Sequence, residues 1–304
     1  MDTLVQDAGS RRPIIYRTAG HTQGRITRLV SPGDLGEVLK PFVFLDLFDN
    51  GGRPSQGFGL HPHSGIATLT YVAEGGVGFE DTNGSRGLLP AGGVEWMRAG
   101  SGVWHGGGKG APGRTRGFQL WVALPPHLEL GPSVSLYQGA DDVPVAGPAR
   151  ILLGSYEGAS SAIESPSDIN YLAVRLAPGE RWRYVPPAGH DVLWIALGKG
   201  AVDTPDRIGH GELAVFAPGQ VAVDFTAETA DALQPILDDL LNRIRRCGPR
   251  ANGVTKRLLQ SLSPAPETFI EAAADAFTAA LRGREGQEGV AAFVEKRKPR
   301  WFET

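Results

Sequence analysis

Gly59-Leu60-His61-Pro62-His63-Ser64-Gly65, running straight into Ile66-Ala67-Thr68-Leu69-Thr70-Tyr71-Val72, decides how the fold is read. The second half alternates apolar and polar residues with the period of a half-buried strand. In an extended segment residues i and i+2 share a face, so His61 and His63 present their imidazoles to the same side. Downstream, Gly100-Ser101-Gly102-Val103-Trp104-His105-Gly106 carries a third histidine at the end of another strand-like run. An antiparallel barrel would return it to the first pair, and three imidazoles make a ligand set for a transition metal.

The totals suit such a barrel. The chain has 304 residues, more than one domain usually holds, and a sizeable core is available. With 42 Gly and 23 Pro against 41 % hydrophobic residues, turns and short strands are favoured over long helices. A formal net charge of −3 gives no general attraction to phosphate backbones or anionic membranes, so neither nucleic acid nor membrane is expected as a direct partner. The single cysteine, Cys247, excludes an intramolecular disulfide framework and a thiolate cluster within one chain. The opening residues lack a basic region followed by an apolar one, and no window of about 20 uncharged apolar residues occurs. A cytoplasmic location is the expectation.

In chain order, Ile14–Thr18 and Arg25–Val30 read as a hairpin across Gly20 to Gly24, and Phe42–Phe48 as a buried strand. Strand runs Ile66–Val72, Val77–Glu80, Gly87–Leu89, Val94–Met97 and Phe118–Leu124 follow, with turns at Asn83-Gly84 and Pro90-Ala91-Gly92-Gly93. After loop chemistry at Gly131-Pro132, Asp141–Pro144 and Gly147-Pro148, strand runs recur at Arg150–Leu153, Tyr171–Leu176, Asp191–Leu197, Leu213–Phe216 and Val221–Phe225. Two β-barrels or sandwiches in tandem are the economical reading. Near Thr226 the period changes to that of a helix. Ile236, Leu237, Leu240, Leu241 and Ile244 form one stripe between Pro235 and Gly248, and Ala251–Ser261, Glu267–Arg282 and Glu288–Lys296 read as further helices. The fold class expected is mainly β, with domains at 1–135, 136–228 and an α-helical segment at 229–304.

Several ordered blocks resemble the pirin family of bicupins. They are Lys40-Pro41-Phe42-Val43-Phe44-Leu45-Asp46, His61-Pro62-His63, Glu95-Trp96-Met97 with Ala99-Gly100-Ser101-Gly102-Val103-Trp104-His105, and Gly117-Phe118-Gln119-Leu120-Trp121-Val122. Pro186-Pro187-Ala188-Gly189-His190 is similar to a pirin C-terminal cupin, and the likeness covers residues 12–226. It implies an N-terminal cupin holding one divalent metal, usually iron, with zinc, manganese, nickel and copper as alternatives, and a second cupin holding none. Carried over residue by residue, the family's ligands fall on His61, His63 and His105. The fourth position, a glutamate in the family, is Gly107, which offers no ligand. Three neutral imidazoles then leave a dication uncompensated, with more positions open to water or substrate. Glu95 and Glu74 are more distant candidates for a replacement carboxylate, and strand parity supports neither firmly.

The tail resembles another family. Arg250-Ala251-Asn252-Gly253-Val254-Thr255-Lys256-Arg257-Leu258-Leu259 and Glu288 through Trp301 look like the C-terminal helices of enoyl-CoA hydratases, the crotonase family. In that family these helices cover a CoA site and help subunits associate. No crotonase core precedes them here, so enoyl-CoA hydration is not expected. CoA binding through Lys296, Arg297, Lys298 and Arg300 is a weak expectation against a plain solvated charge run. Homo-oligomerisation through 229–304 is another.

The pirin likeness implies two functional classes. One is an oxygenase of the quercetin 2,3-dioxygenase type, acting on a flavonol-like small molecule at a metal with open positions. The other is a redox-sensitive regulatory or protein-binding role without catalysis. Trp96, Trp104, Phe79 and Phe118 are candidates to line a substrate pocket, with barrel core as the plain alternative. His190 and His210 have no H-x-H partner and read as ordinary histidines, as do His21 and His127.

Overall fold

The computed structural model describes residues 12–53, 57–108, 110–204, 206–228 and 266–302. Two compact units meet in sequence at Glu228/Thr229, and each is described by itself. The first is built from β-strands. Its N-terminal half contains β1 (Ile14–Thr18), β2 (His21–Gln23), β3 (Ile26–Val30), the short helix α1 (Leu35–Val38), β4 (Phe42–Asp49) and β5 (Phe58–His63). There follow β6 (Ile66–Glu74), β7 (Gly76–Asp81), β8 (Arg86–Pro90), β9 (Val94–Arg98), β10 (Val103–Gly107), β11 (Arg116–Ala123), helix α2 (Pro126–Glu129) and β12 (Val134–Gln138).

These strands form a seven-stranded sheet in the order β12-β9-β6-β11-β4-β3-β2 and a four-stranded sheet in the order β5-β10-β7-β8. The register of the larger sheet sorts its residues into two buried faces. Leu45, Leu69, Trp96, Leu120 and Val122 fall on one face and join a core cluster with Leu152, Leu153, Ile163, Leu213 and Val215 from the following half. Burying each such side chain is worth roughly 1.5–3 kcal/mol, so this shared core ties the two halves together. The opposite face carries a cross-strand row of polar side chains, Arg28, Asp46, Gln119, Thr70, Glu95 and Tyr137, each opposite the next in neighbouring strands. Beside it runs a mostly apolar row, Phe44, Trp121, Thr68 and Met97, interrupted by the Thr68 hydroxyl. Polar residues recur at alternate positions because this inner face surrounds the site described below.

The second half repeats the architecture with shorter strands. Arg181–Tyr184, Val223–Ala227, Val202–Asp203 and Arg207–Ile208 make a four-stranded sheet, and Ala149–Leu153 lies between Val145–Ala146 and Tyr171–Val174. Its interior is a separate cluster around Tyr184, Ile208, Phe216, Val223 and Phe225. The fold is therefore mainly β, two consecutive barrels followed by a helical segment.

The N-terminal hairpin differs from expectation. Ile14–Thr18 does not pair with Ile26–Val30, which takes the shorter partner His21–Gln23 instead. Ile14–Thr18 crosses to the second barrel and pairs with Leu213–Phe216. Arg12 anchors the crossing by donating to the carbonyls of Ala217 and Asp191. A guanidinium can satisfy several backbone acceptors at once, a long-range contact invisible to local periodicity. The second difference is β12, which pairs with β9 and runs across the expected 135/136 boundary.

In the second unit, α3 (Pro266–Arg282) and α4 (Arg284–Val294) are joined at Gly283, whose amide donates to the carbonyl of Ala279 at 3.0 Å. Glu288 accepts from Arg297 at 2.6 and 3.2 Å and from the Arg300 amide at 3.0 Å, so part of the terminal basic run is tied locally. The stripe Ile236 to Ile244, the helix expected at 251–261, and Cys247, Lys256 and Arg257 lie outside the described residues.

Candidate metal centre

Strands β5 and β10 are antiparallel neighbours, with His105 opposite His61 and Val103 opposite His63. Period-two alternation sends the three imidazoles inward while Leu60, Pro62 and Trp104 face out, so two strands alone assemble the cluster. Ring centroids lie 4.5 Å apart for His61 and His105, and 5.0 Å apart for the other two pairs. One nitrogen from each ring falls within 4.8 Å of the others, close enough to share one ion.

The turn that delivers β10 depends on glycine. Gly100 has φ +54°, and a Cβ there would lie 2.2 Å from the Gly131 carbonyl oxygen. An L-residue would be strained by both conformation and contact. The same carbonyl accepts from the Ser101 amide at 2.8 Å, while Gly65 N donates to Gly100 O at 2.8 Å. These bonds hold the start of β6 and the approach to β10 together, which sets the His63/Val103 register.

Hydrogen bonding selects the metal-facing nitrogens. His61 Nδ1 lies 2.9 Å from the Gly59 carbonyl oxygen; a carbonyl only accepts, so Nδ1 carries the proton and Nε2 has its lone pair bare. His105 Nδ1 lies 3.2 Å from Glu95 Oε1. The Nε2 atoms of His63 and His105 are buried with no hydrogen-bond partner, an uncommon state that costs free energy unless something occupies them. Three neutral imidazoles with converging lone pairs fit a borderline divalent transition ion. Burial lowers the His63 basicity, the neighbouring His105 and His61 lower it further, and the result is a pKa of about 4. His63 thus stays a free-base ligand well into acid.

Around the cluster, Trp121 sets its ring edgewise to His63 at 5.1 Å and stacks on Phe44 at 3.9 Å. Phe44 in turn carries the Arg28 guanidinium over its ring at 4.0 Å, and Arg28 is bound to Asp46 at 2.5 and 3.1 Å. An open depression of about 470 Å³ borders His63, Ser101 and Trp104.

Gly107 has no side chain to offer. It faces Phe58 across a register shift, and a Cβ built on it would meet Gly78 O at 3.1 Å and Phe58 Cδ2 at 3.2 Å. Of the two replacement carboxylates weighed from sequence, Glu74 is bound by Arg116 at 2.8 Å, whereas Glu95 sits behind His105. The four candidate pocket aromatics are dispersed. Trp96 belongs to the core shared by the two barrels, Phe118 packs against that core, Phe79 stacks on Tyr137 at 3.7 Å, and Trp104 is half exposed on the outer sheet face beside the depression. Trp121, not singled out from sequence, packs on His63, and Phe44 stacks on Trp121. His190 is half-buried and His210 exposed, and the described residues form no second ligand cluster.

The family's sequence profile, described as Pirin, matches residues 23–122, which include all three histidines. A pirin-like protein of Caulobacter vibrioides is 33% identical over 208 residues, covering 64% of this chain and 72% of that protein. The chain belongs to the pirin family. A pirin-like protein of Solanum lycopersicum is 31% identical over 208 residues, covering 64% of this chain and 68% of the tomato protein. Among solved structures, a quercetin 2,3-dioxygenase of Acinetobacter baumannii superposes with a TM-score of 0.65 at 28% identity, over 72% of this chain and 84% of that one. In this pirin the bicupin fold places His61, His63 and His105 together in the N-terminal barrel.

Proposed function

We propose that this pirin is a metal-dependent oxygenase of the quercetin 2,3-dioxygenase type, acting on a flavonol-like small molecule. The observation that carries the reading is the convergence of three imidazoles, two of which, His63 and His105, have buried Nε2 atoms with no partner. The likeness to the Acinetobacter dioxygenase supports the reaction class. His61, His63 and His105 would hold the ion. When bound, a divalent redox metal, iron first among the alternatives, supplies the point at which adjacent substrate oxygens and O₂ meet. The protein supplies the rest. Three ligands leave coordination positions open, Trp121 packs edgewise on His63 with Phe44 stacked on it, and the open depression bordered by His63 is the proposed entry for a small molecule. Quercetin consumption coupled to O₂ uptake by the iron-loaded protein tests the reading; no turnover with any divalent metal would count against it.

A second reading is a binding or regulatory protein without catalysis. It is favoured by Gly107 and by Phe58, Leu60, Leu88 and Trp104, which are each about half exposed on the four-stranded sheet. In the helical unit Phe277, Val290 and Phe293 are also exposed, which supports an assembly role for the tail. Light scattering on the full chain and on one ending at Phe225 checks that role, and unchanged mass per particle would remove it.

A further inference from the structure

We propose that Glu95 is a positioning residue for the metal, bound to it through His105. Its carboxylate accepts the His105 Nδ1 proton, fixes the tautomer that turns Nε2 toward His61 and His63, and places a negative charge one imidazole away from the ion. The proposal rests on reading His61, His63 and His105 as the ligands.

Four observations carry it. Glu95 Oε1 and His105 Nδ1 are 3.2 Å apart, and both residues are at most 6 % exposed. Among the described residues the only ion-pair partner of Glu95 is this histidine, which is charged only if protonated. A buried carboxylate facing a neutral ring is poorly compensated, and a cation on the ring's far nitrogen supplies the missing charge. That far nitrogen, His105 Nε2, is itself buried without a partner. Finally, the neighbouring carboxylate is already committed. Asp81, opposite His105 on β7, accepts from Tyr137 Oη at 2.7 Å and from the Ser85 amide at 3.1 Å.

A carboxylate behind a ligating imidazole raises the basicity of that ring and limits its rotation. Three neutral donors would then hold the ion, with the Glu95 charge one imidazole away. This differs from a carboxylate ligand in one practical respect, since no coordination position is used up.

Co²⁺ is the probe, titrated against a chromophoric chelator into the full chain and its Glu95→Gln, Glu95→Ala and His61→Ala/His63→Ala variants. Glu95→Gln keeps the shape and a carbonyl acceptor but removes the charge. Affinity is expected to fall roughly 10- to 100-fold in Glu95→Gln and further in Glu95→Ala, with a shifted visible Co²⁺ spectrum. Thermal unfolding of metal-free Glu95→Gln should match or exceed the parent, because a poorly compensated buried charge is gone. Parent-like affinity and spectrum in Glu95→Gln, with binding abolished in the double-histidine variant, would overturn the role of Glu95 alone. Loss of metal-free stability with unchanged affinity would overturn it in favour of a purely structural contact. No Co²⁺ binding by the parent chain would overturn both this inference and the ligand assignment beneath it.

Discussion

Glu95 and His105 meet in the interior of the N-terminal barrel, Oε1 to Nδ1 at 3.2 Å, although they sit on strands of different sheets. The contact joins the polar row of the larger sheet to the histidine cluster of the smaller one. It also places a carboxylate next to a site whose coordinating positions are all imidazoles.

Restoring a carboxylate directly should change the site in a different way. Gly107→Glu is expected to tighten Co²⁺ or Fe²⁺ binding at least about tenfold, since an anionic ligand compensates the dication. It should also lower metal-free stability by roughly 1–3 kcal/mol, the usual cost of overpacking, because the new Cβ presses on Gly78 O and Phe58. Chelator competition and urea unfolding read the two effects separately. Weaker metal binding with intact folding would show that position 107 does not face the ion.

Acid should destabilise the metal-free protein through His63. Its folded pKa of about 4 lies below the ordinary value of 6.5, so the unfolded chain takes up this proton first as pH falls. The stability tied to His63 is therefore fully present above about pH 6.5 and is lost progressively down to about pH 4. Urea unfolding of the parent and of His63→Gln across this range gives the test. The parent should lose more stability than the variant, and parallel curves would contradict the assignment.

The Gly100 turn gives a prediction about geometry at a distance. Gly100→Ala places a Cβ 2.2 Å from Gly131 O at positive φ, so the turn must shift. Destabilisation of roughly 1–3 kcal/mol is expected, together with weaker Co²⁺ retention, because the turn sets how β10 lies against β5. Retention equal to the parent's would show that the register tolerates a moved turn.

Much of this was legible in the sequence. His61 and His63 share a strand face by period two alone, and the Gly-Ser-Gly turn before Val103-Trp104-His105 put the third histidine in a strand, although it lies in the middle of Val103–Gly107 and not at its end. The helical period after Thr226 likewise pointed to helices, and α3 follows the expected Glu267–Arg282 closely, whereas α4 starts at Arg284, ahead of the expected Glu288, and ends at Val294, short of the expected Lys296. Glu95 was harder to weigh. Parity puts it on one face of β9, but whether that face looks at β10 depends on how two sheets close, a non-local relation. Trp121 and Phe44 were missed for the same reason. They lie in dense apolar strands that read as uniform core, and only the register separates the inner face from the core shared with the second barrel. The crossing of Ile14–Thr18 to Leu213–Phe216 joins segments far apart in sequence, beyond the reach of any local pattern.

That shared core predicts coupled unfolding of the two barrels. Leu120 is fully buried within a cluster that includes Leu152 and Leu213, so Leu120→Ala should cost roughly 2–5 kcal/mol. Tryptophan fluorescence, sensitive to Trp121 in one barrel and Trp182 in the other, and circular dichroism should report one transition shifted together. Two separated transitions would show that the barrels unfold independently.

The central claim is that three histidines hold a metal, and elemental analysis tests it most directly. The full chain and His61→Ala/His63→Ala, both purified without added metal, are compared for bound transition ions. The geometry predicts close to one ion per parent chain and loss of nearly all of it in the variant. Equal metal content in the two proteins would contradict the account.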